Sequence, residues 1–317
     1  MGIVTKLGNR KREKMNTQSR LRKVWSYRVL YLMVSIGLVY FIIFKYATLY
    51  GLLIAFKNYR IRLGILGSPW VGFANFPAAF GNTEFPRVLR NTVIISFGKL
   101  LFGFPAPIIL ALLLNELRSQ TYKRIVQSLL YVPHFISWII LAGLFQNLFS
   151  ITNGAIPLAL KLIDINMPSL IADPKYFVGF LFGTDIWKGM GWGTIIYLAA
   201  ISGINPELYE SALIDGCNRF QQTLYITLPC ISFTIVTLLV INMGGIMSAG
   251  FEQIFNLYSS RTRSVANIID TYVYTLGIQS GRFEYATAIG MFKSVVNCAM
   301  LFTVNWISGK ISESSPL

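Results

Sequence analysis

The chain is 317 residues long, 54% hydrophobic and only 13% charged, with a mean hydropathy of +0.56. A soluble domain carries roughly 25% charge, so soluble, disordered, fibrous and disulfide-rich secreted classes are excluded. Gly 26 and Pro 12 beside so many apolar runs define a polytopic helical membrane protein, an all-α fold. The net charge of +15 is uneven: Lys6, Arg10, Lys11, Arg12, Lys14, Arg20, Arg22, Lys23 and Arg28 precede the first apolar run, with Glu13 the only acid among them. No aromatic residue interleaves this cluster before Trp25, which argues against a nucleic-acid partner. The cluster fits a basic cytoplasmic tail at 1–28 that fixes the orientation of the first span, a reading favoured over binding to anionic membrane lipid.

Apolar stretches long enough to cross a bilayer fall at 29–49, 92–114, 125–149, 180–201, 228–247 and 286–307, each of about 20 residues. The first run, 29–56, exceeds a signal-peptide core of roughly 7–15 residues and reads as a span. Six spans place both termini on one side, with a transmembrane domain at 29–308 and a short cytoplasmic tail at 309–317. The loop 115–124 carries Arg118, Lys123 and Arg124, as the positive-inside rule expects of a short inner loop. The outer loops carry ten basic residues against six acids, a balance of +4. Loops 57–90 and 248–285 hold eight of the ten, a basic face suited to an acidic docking partner.

Catalytic chemistry is thin. His134 is the single histidine, the three cysteines Cys217, Cys230 and Cys298 lack metal-ligand spacing, and no phosphate-cradling G-x-x-x-x-G-K-[ST] loop occurs. No catalytic or metal site is indicated, and ATP-driven work would need another subunit to bind the nucleotide.

Polar residues inside spans are the candidates for a substrate path: Lys188 and Trp192 in the fourth, Asn242 in the fifth, and Lys293 and Asn297 in the sixth. A lysine at the bilayer centre costs about 3 kcal/mol unless it faces protein or water. Helix packing around small residues is the competing explanation for all of them.

The inner segment 205–229 reads as a capped amphipathic helix. Asn205 is an N-cap, Pro206 suits the first helical position, Glu207 and Glu210 lie toward the positive end of the dipole, and Gly216 supplies a left-handed stop. A second short helix then leads to Pro229. These residues alone fit an interfacial connector and a docking element equally well.

The series Glu210, Ser211, Ala212, Gly216 and, nine residues later, Ile226-Thr227-Leu228-Pro229 resembles the EAA loop of binding-protein-dependent ABC importer permeases, with Ser in place of the second Ala. Trp70-Val71-Gly72-Phe73-Ala74-Asn75-Phe76 with Phe85 and Asn91-Thr92, and Leu130-Tyr131-Val132-Pro133 with Ile136-Ser137, Phe149-Ser150 and Gly154, are similar to segments of sugar-uptake members. Tyr40-Phe41-Ile42-Ile43-Phe44-Lys45-Tyr46 and Tyr50-Gly51-Leu52-Leu53-Ile54-Ala55-Phe56-Lys57 resemble the branch handling oligosaccharides from complex polysaccharides, which includes alginate importers.

The resemblance implies a non-catalytic permease subunit of the bacterial inner membrane. It would pair with a second homologous permease, two ATPase subunits that bind ATP and Mg, and an extracytoplasmic solute-binding protein that delivers an oligosaccharide, acidic in the alginate-like case. It assigns ATPase coupling to Pro206, Glu207, Tyr209, Glu210, Ser211, Ala212, Asp215, Gly216, Phe220, Leu228 and Pro229. An ion-coupled secondary sugar transporter is the alternative, although Asp185 is the only carboxylate available inside its spans.

Overall fold

The computed structural model describes residues 25–311; most of the basic cluster at 1–28 and the end of the tail at 309–317 lie outside them. The described chain is helical, with one isolated antiparallel bridge between Lys57 and Trp70. It divides into two units, Met1–Ile54 and Ala55–Leu317. In the first, helix α1 begins the stretch Arg28–Phe56. No residue of its opening portion, Arg28–Phe41, is buried, which suits an apolar helix whose solvent is lipid.

The second unit opens with a loop closed on itself. Asn58 N donates to Pro69 O and Val71 N to Phe56 O, each at 2.9 Å. Asn75 Nδ2 donates to the carbonyls of Ala55 and Lys57 at 2.8 and 2.9 Å. This loop delivers α2 (Asn75–Phe80) against α12 (Phe283–Ile311), where Phe80 meets Phe85 and Phe292 at ring distances of 5.0 and 5.3 Å.

Helix α3 runs over Phe85–Asn115. It widens over Lys99–Gly103 just before Pro105, as expected where a proline removes a backbone donor and crowds the preceding turn.

The third apolar run, expected as one span over 125–149, is broken. Helix α4 (Gln120–Phe135) and α5 (Trp138–Phe149) meet at 100°. Ile136 and Ser137 are extended, and Ser137 Oγ restarts the helix by accepting from Ile140 N at 3.4 Å.

Helix α6 (Pro174–Ser202), 29 residues long, is started by Asp173, which accepts from Lys175 N at 2.9 Å. It lies against α3 and α4. A Cβ on Gly191 would stand 2.1 Å from Leu130 O, so only glycine permits this backbone approach.

Beyond α6 come α7 (Pro206–Ile214), the bent pair α8 (Arg219–Cys230) and α9 (Ser232–Met243) at 59°, α10 (Phe251–Leu257), α11 (Ile269–Tyr274) and α12. Three helices and the two bent pairs are long and apolar enough to cross a membrane. Helix α6, which carries Asp185, Lys188 and five glycines, is not among them.

The buried core joins α3, α5, α6 and α10 through Ile95, Leu141, Phe145, Phe177, Leu181, Ile254 and Leu257. A second cluster, with Val88, Ile269, Tyr272 and Ile289, joins α3, α11 and α12.

Candidate functional site

The loop 205–229 is built from strong local signals. Asn205 Oδ1 accepts from Glu207 N at 3.1 Å, while Asn205 Nδ2 donates to Glu207 Oε2 at 3.1 Å, and Pro206 occupies the first turn. Gly216 has φ +80. Cys217 N donates to Ala212 O at 2.9 Å and Gly216 N to Leu213 O at 3.1 Å, the paired bonds of a Schellman stop. Asn218 and Gln221 then form a reciprocal capping box that starts α8 at once. The two helices are thus joined at a tight, hydrogen-bonded corner.

Ala212 is buried, whereas Glu207, Glu210, Ser211, Asp215 and Phe220 are exposed. Leu213, Ile214 and Phe220 project with 62, 87 and 74% of their surface free.

Two bonds tie the lever to the spans. Tyr209 Oη pairs with Thr227 Oγ1 at 2.9 Å, and Arg219 Nη1 donates to Glu116 Oε2 at 2.9 Å. Leu228 and Pro229 follow Thr227 into the bend between α8 and α9.

A cavity of about 360 Å³ opens between α3, α6 and α9. Ser96, Lys99, Asp185, Gly189, Tyr197 and Asn242 are among its walls. Lys99 Nζ donates to Asp185 Oδ1 at 2.9 Å and also to Gln253 Oε1. Gln253, itself buried, donates through Nε2 to Leu181 O and Thr184 Oγ1, both at 2.8 Å. Sequence reading missed Lys99 and Gln253. The available signal was a lysine in the second span and an aspartate in the fourth, opposite charges that seek each other in hydrocarbon.

Of the five polar span residues, Asn242 lines this cavity, and its Nδ2 donates to Leu238 O on its own helix at 2.7 Å. Lys188 Nζ donates to the carbonyls of Pro133, His134 and Ile136 at 3.2, 2.7 and 2.6 Å. Its three protons thereby reach the carbonyls at the α4–α5 break, where Pro133 O also accepts from Ile136 N at 3.3 Å. Trp192 stacks on His134 at 4.7 Å with 3° between the rings. Lys293 pairs with Asp270, and Asn297 Oδ1 accepts from Met247 N at 2.9 Å. The structure does not bring these five together.

At the opposite end, Arg263 faces Glu84 at 3.8 Å and Asn91 Nδ2 donates to Ser264 O and Asn267 O, so loops 57–90 and 248–285 adjoin. Lys57 is turned inward: buried, it donates to Ile65 O and Leu66 O at 2.6 and 3.1 Å. It therefore drops out of the basic outer face counted from the sequence, while Arg60, Arg62, Arg87, Arg90, Arg261 and Arg282 remain exposed.

Several helices long and apolar enough to cross a membrane, a capped helical corner and a polar cavity between helices describe a membrane transport subunit. Residues 103–313 match the family model for the binding-protein-dependent transport system inner membrane component, and the chain belongs to that family. It is similar to protein LplB of Bacillus subtilis, 45% identical over 90% of this chain and 89% of that one. It is also similar to the polygalacturonan/rhamnogalacturonan transport system permease protein YteP of the same organism, 41% identical over 92 and 91% of the two chains. Among solved structures, a bacterial ABC transporter involved in the import of the acidic polysaccharide alginate matches with a TM-score of 0.86 at 40% identity, covering 93% of this chain and 99% of that chain. A second, the alginate transporter in complex with an alginate pentasaccharide-bound periplasmic protein, matches with a TM-score of 0.85 at 40% identity over 93 and 98%. The chain is thus the permease subunit of an ABC importer, a non-catalytic component of the inner membrane.

Proposed function

We propose that this subunit carries oligosaccharides of the kind released from acidic polysaccharides, and that its loop 205–229 converts ATPase closure into movement of the spans. The single observation that carries the coupling is the rigid corner at Gly216, between an exposed lever helix and a second helix that runs directly into α9. Pro206, Glu207, Tyr209, Glu210, Ser211, Ala212, Asp215, Gly216, Phe220, Leu228 and Pro229 form that lever and its root. The acidic-sugar reading is supported by the names of the relative YteP and of the alginate importers. A fold that holds paired charge inside a polar cavity is consistent with it.

The partners in this reading are a second homologous permease, two ATPase subunits that hold ATP and Mg, and a solute-binding protein on the outer loops. Both termini are cytoplasmic, which puts loop 205–229 on the ATPase side. ATP-driven closure of the ATPases then favours one of two arrangements of the permease pair. The test is uptake by proteoliposomes holding the whole complex. Uptake that requires ATP and survives collapse of ion gradients is expected; uptake driven by a gradient without ATP would establish the ion-coupled alternative.

A further inference from the structure

The paired charge at Lys99 is asymmetric. The Lys99 side chain is 12% exposed and that of Asp185 34%. The ammonium is fixed from several sides. Gln253 accepts from it and is itself locked to Leu181 O and Thr184 Oγ1, and a Cβ on Gly250 would stand 2.6 Å from Nζ. Gly250 is left-handed at φ +91, so its missing side chain provides the space the lysine head fills. Asp185, by contrast, stands at the cavity wall with solvent on one side. If the pair opens, the carboxylate rehydrates, while the lysine cannot leave without uncovering a buried cation.

A second feature of the same cavity points to a ligand. Ser96 Oγ, buried one turn before Lys99 on α3, makes no hydrogen bond within the protein. A buried hydroxyl without a partner is uncommon and marks a place where a polar group from outside completes the shell. Gly189, Gly193 and Gly245 line the same space and keep it open.

We propose that Lys99 is the residue that selects acidic sugars in the translocation cavity. A uronate carboxylate displaces Asp185 from the Lys99 ammonium, and Asp185 passes to water. The exchange swaps one carboxylate for another, so the buried charge remains balanced throughout. A neutral sugar offers no carboxylate for the exchange and leaves the Lys99–Asp185 pair closed. Ser96 Oγ meets a sugar hydroxyl beside the carboxylate. This inference rests on the acidic-oligosaccharide reading above and assigns its selectivity to one side chain.

The experiment uses the reconstituted full complex and two probes, a uronate trisaccharide and its carboxyl-reduced, neutral counterpart, with uptake rates taken at limiting concentration. Lys99→Gln should lower uronate uptake about tenfold, the loss of roughly 1.4 kcal/mol by the usual conversion, and change neutral uptake less than twofold. Asp185→Asn, which keeps an acceptor for Lys99 but removes the competing charge, should raise uronate uptake several-fold. Opposite signs on the uronate are the signature. If both variants shift uronate uptake in the same direction, or shift both sugars by one factor, the assignment is overturned. Where Lys99→Gln does not assemble, the sign seen with Asp185→Asn decides. A wild-type complex that carries neither sugar overturns the import reading instead.

Discussion

Tyr209 on the lever helix and Thr227 at the root of the fifth span share a 2.9 Å hydrogen bond, and Thr227 is 2% exposed. Tyr209 thus ties the helix Pro206–Ile214 to a buried group of the membrane domain. Tyr209→Phe removes one bond worth about 1 kcal/mol. We expect the complex to assemble normally, with sugar-stimulated ATP hydrolysis reduced several-fold relative to basal hydrolysis. A stimulation ratio equal to wild type would show that Tyr209 is only packed there.

Gly216 makes a sharper case, because its difficulty is conformational rather than steric. No atom lies within 4 Å of a Cβ added there, yet φ is +80. Gly216→Asn should be nearly silent, since Asn tolerates the left-handed region. Gly216→Ala should cost on the order of 1 kcal/mol, and Gly216→Val more. The order Asn, Ala, Val in loss of coupled ATP hydrolysis is the expected outcome; equal loss for all three would mean that the surface, not the backbone, matters.

Lys188 caps the break between α4 and α5 through three carbonyls. Lys188→Met should remove the lysine donor from the carbonyls of His134 and Ile136, while Pro133 O keeps its bond from Ile136 N, and cost on the order of 2 kcal/mol. This should appear as a lower thermal midpoint of the nanodisc-embedded complex. The concentration of sugar giving half-maximal uptake should stay the same; a change there with unchanged thermal stability would place Lys188 on the sugar path.

Arg60, Arg62 and Arg261 are open to solvent while Lys57 is folded in. Charge reversal at Arg60 and Arg62, or at Arg261, should weaken stimulation by the binding protein most at low salt, because exposed charges are screened over about 10 Å at 0.1 M ionic strength. Lys57→Glu should instead reduce assembly. A response to the arginine reversals that does not vary with salt would rule out electrostatic docking.

Local chemistry is what made the lever legible. Asn205, Pro206 and Gly216 announce a start and a stop within a dozen residues, and the structure has those caps. The apolar stretches at 29–49, 92–114 and 286–307, which fall within helices long and apolar enough to cross a membrane, were legible too, since apolar runs need no knowledge of neighbours. The break at Ile136 and Ser137 was not, because what stabilises it, Lys188, lies 52 residues from Ile136. Lys99, Asp185 and Gln253 come together across 86 and 154 positions, distances that no local spacing encodes. The inward turn of Lys57 depends on carbonyls of a loop whose shape is set by Asn75. Charge counting alone placed that lysine outside.

Glu210 is exposed on the lever, and the cap is supplied by Asn205, so Glu210 is free to meet a partner. The most direct measurement is sugar uptake and ATP hydrolysis by proteoliposomes holding the full complex with Glu210→Lys. Sugar binding should be intact, with stimulated hydrolysis and uptake both reduced at least tenfold. Uptake at the wild-type rate would contradict this and leave the loop 205–229 a connector.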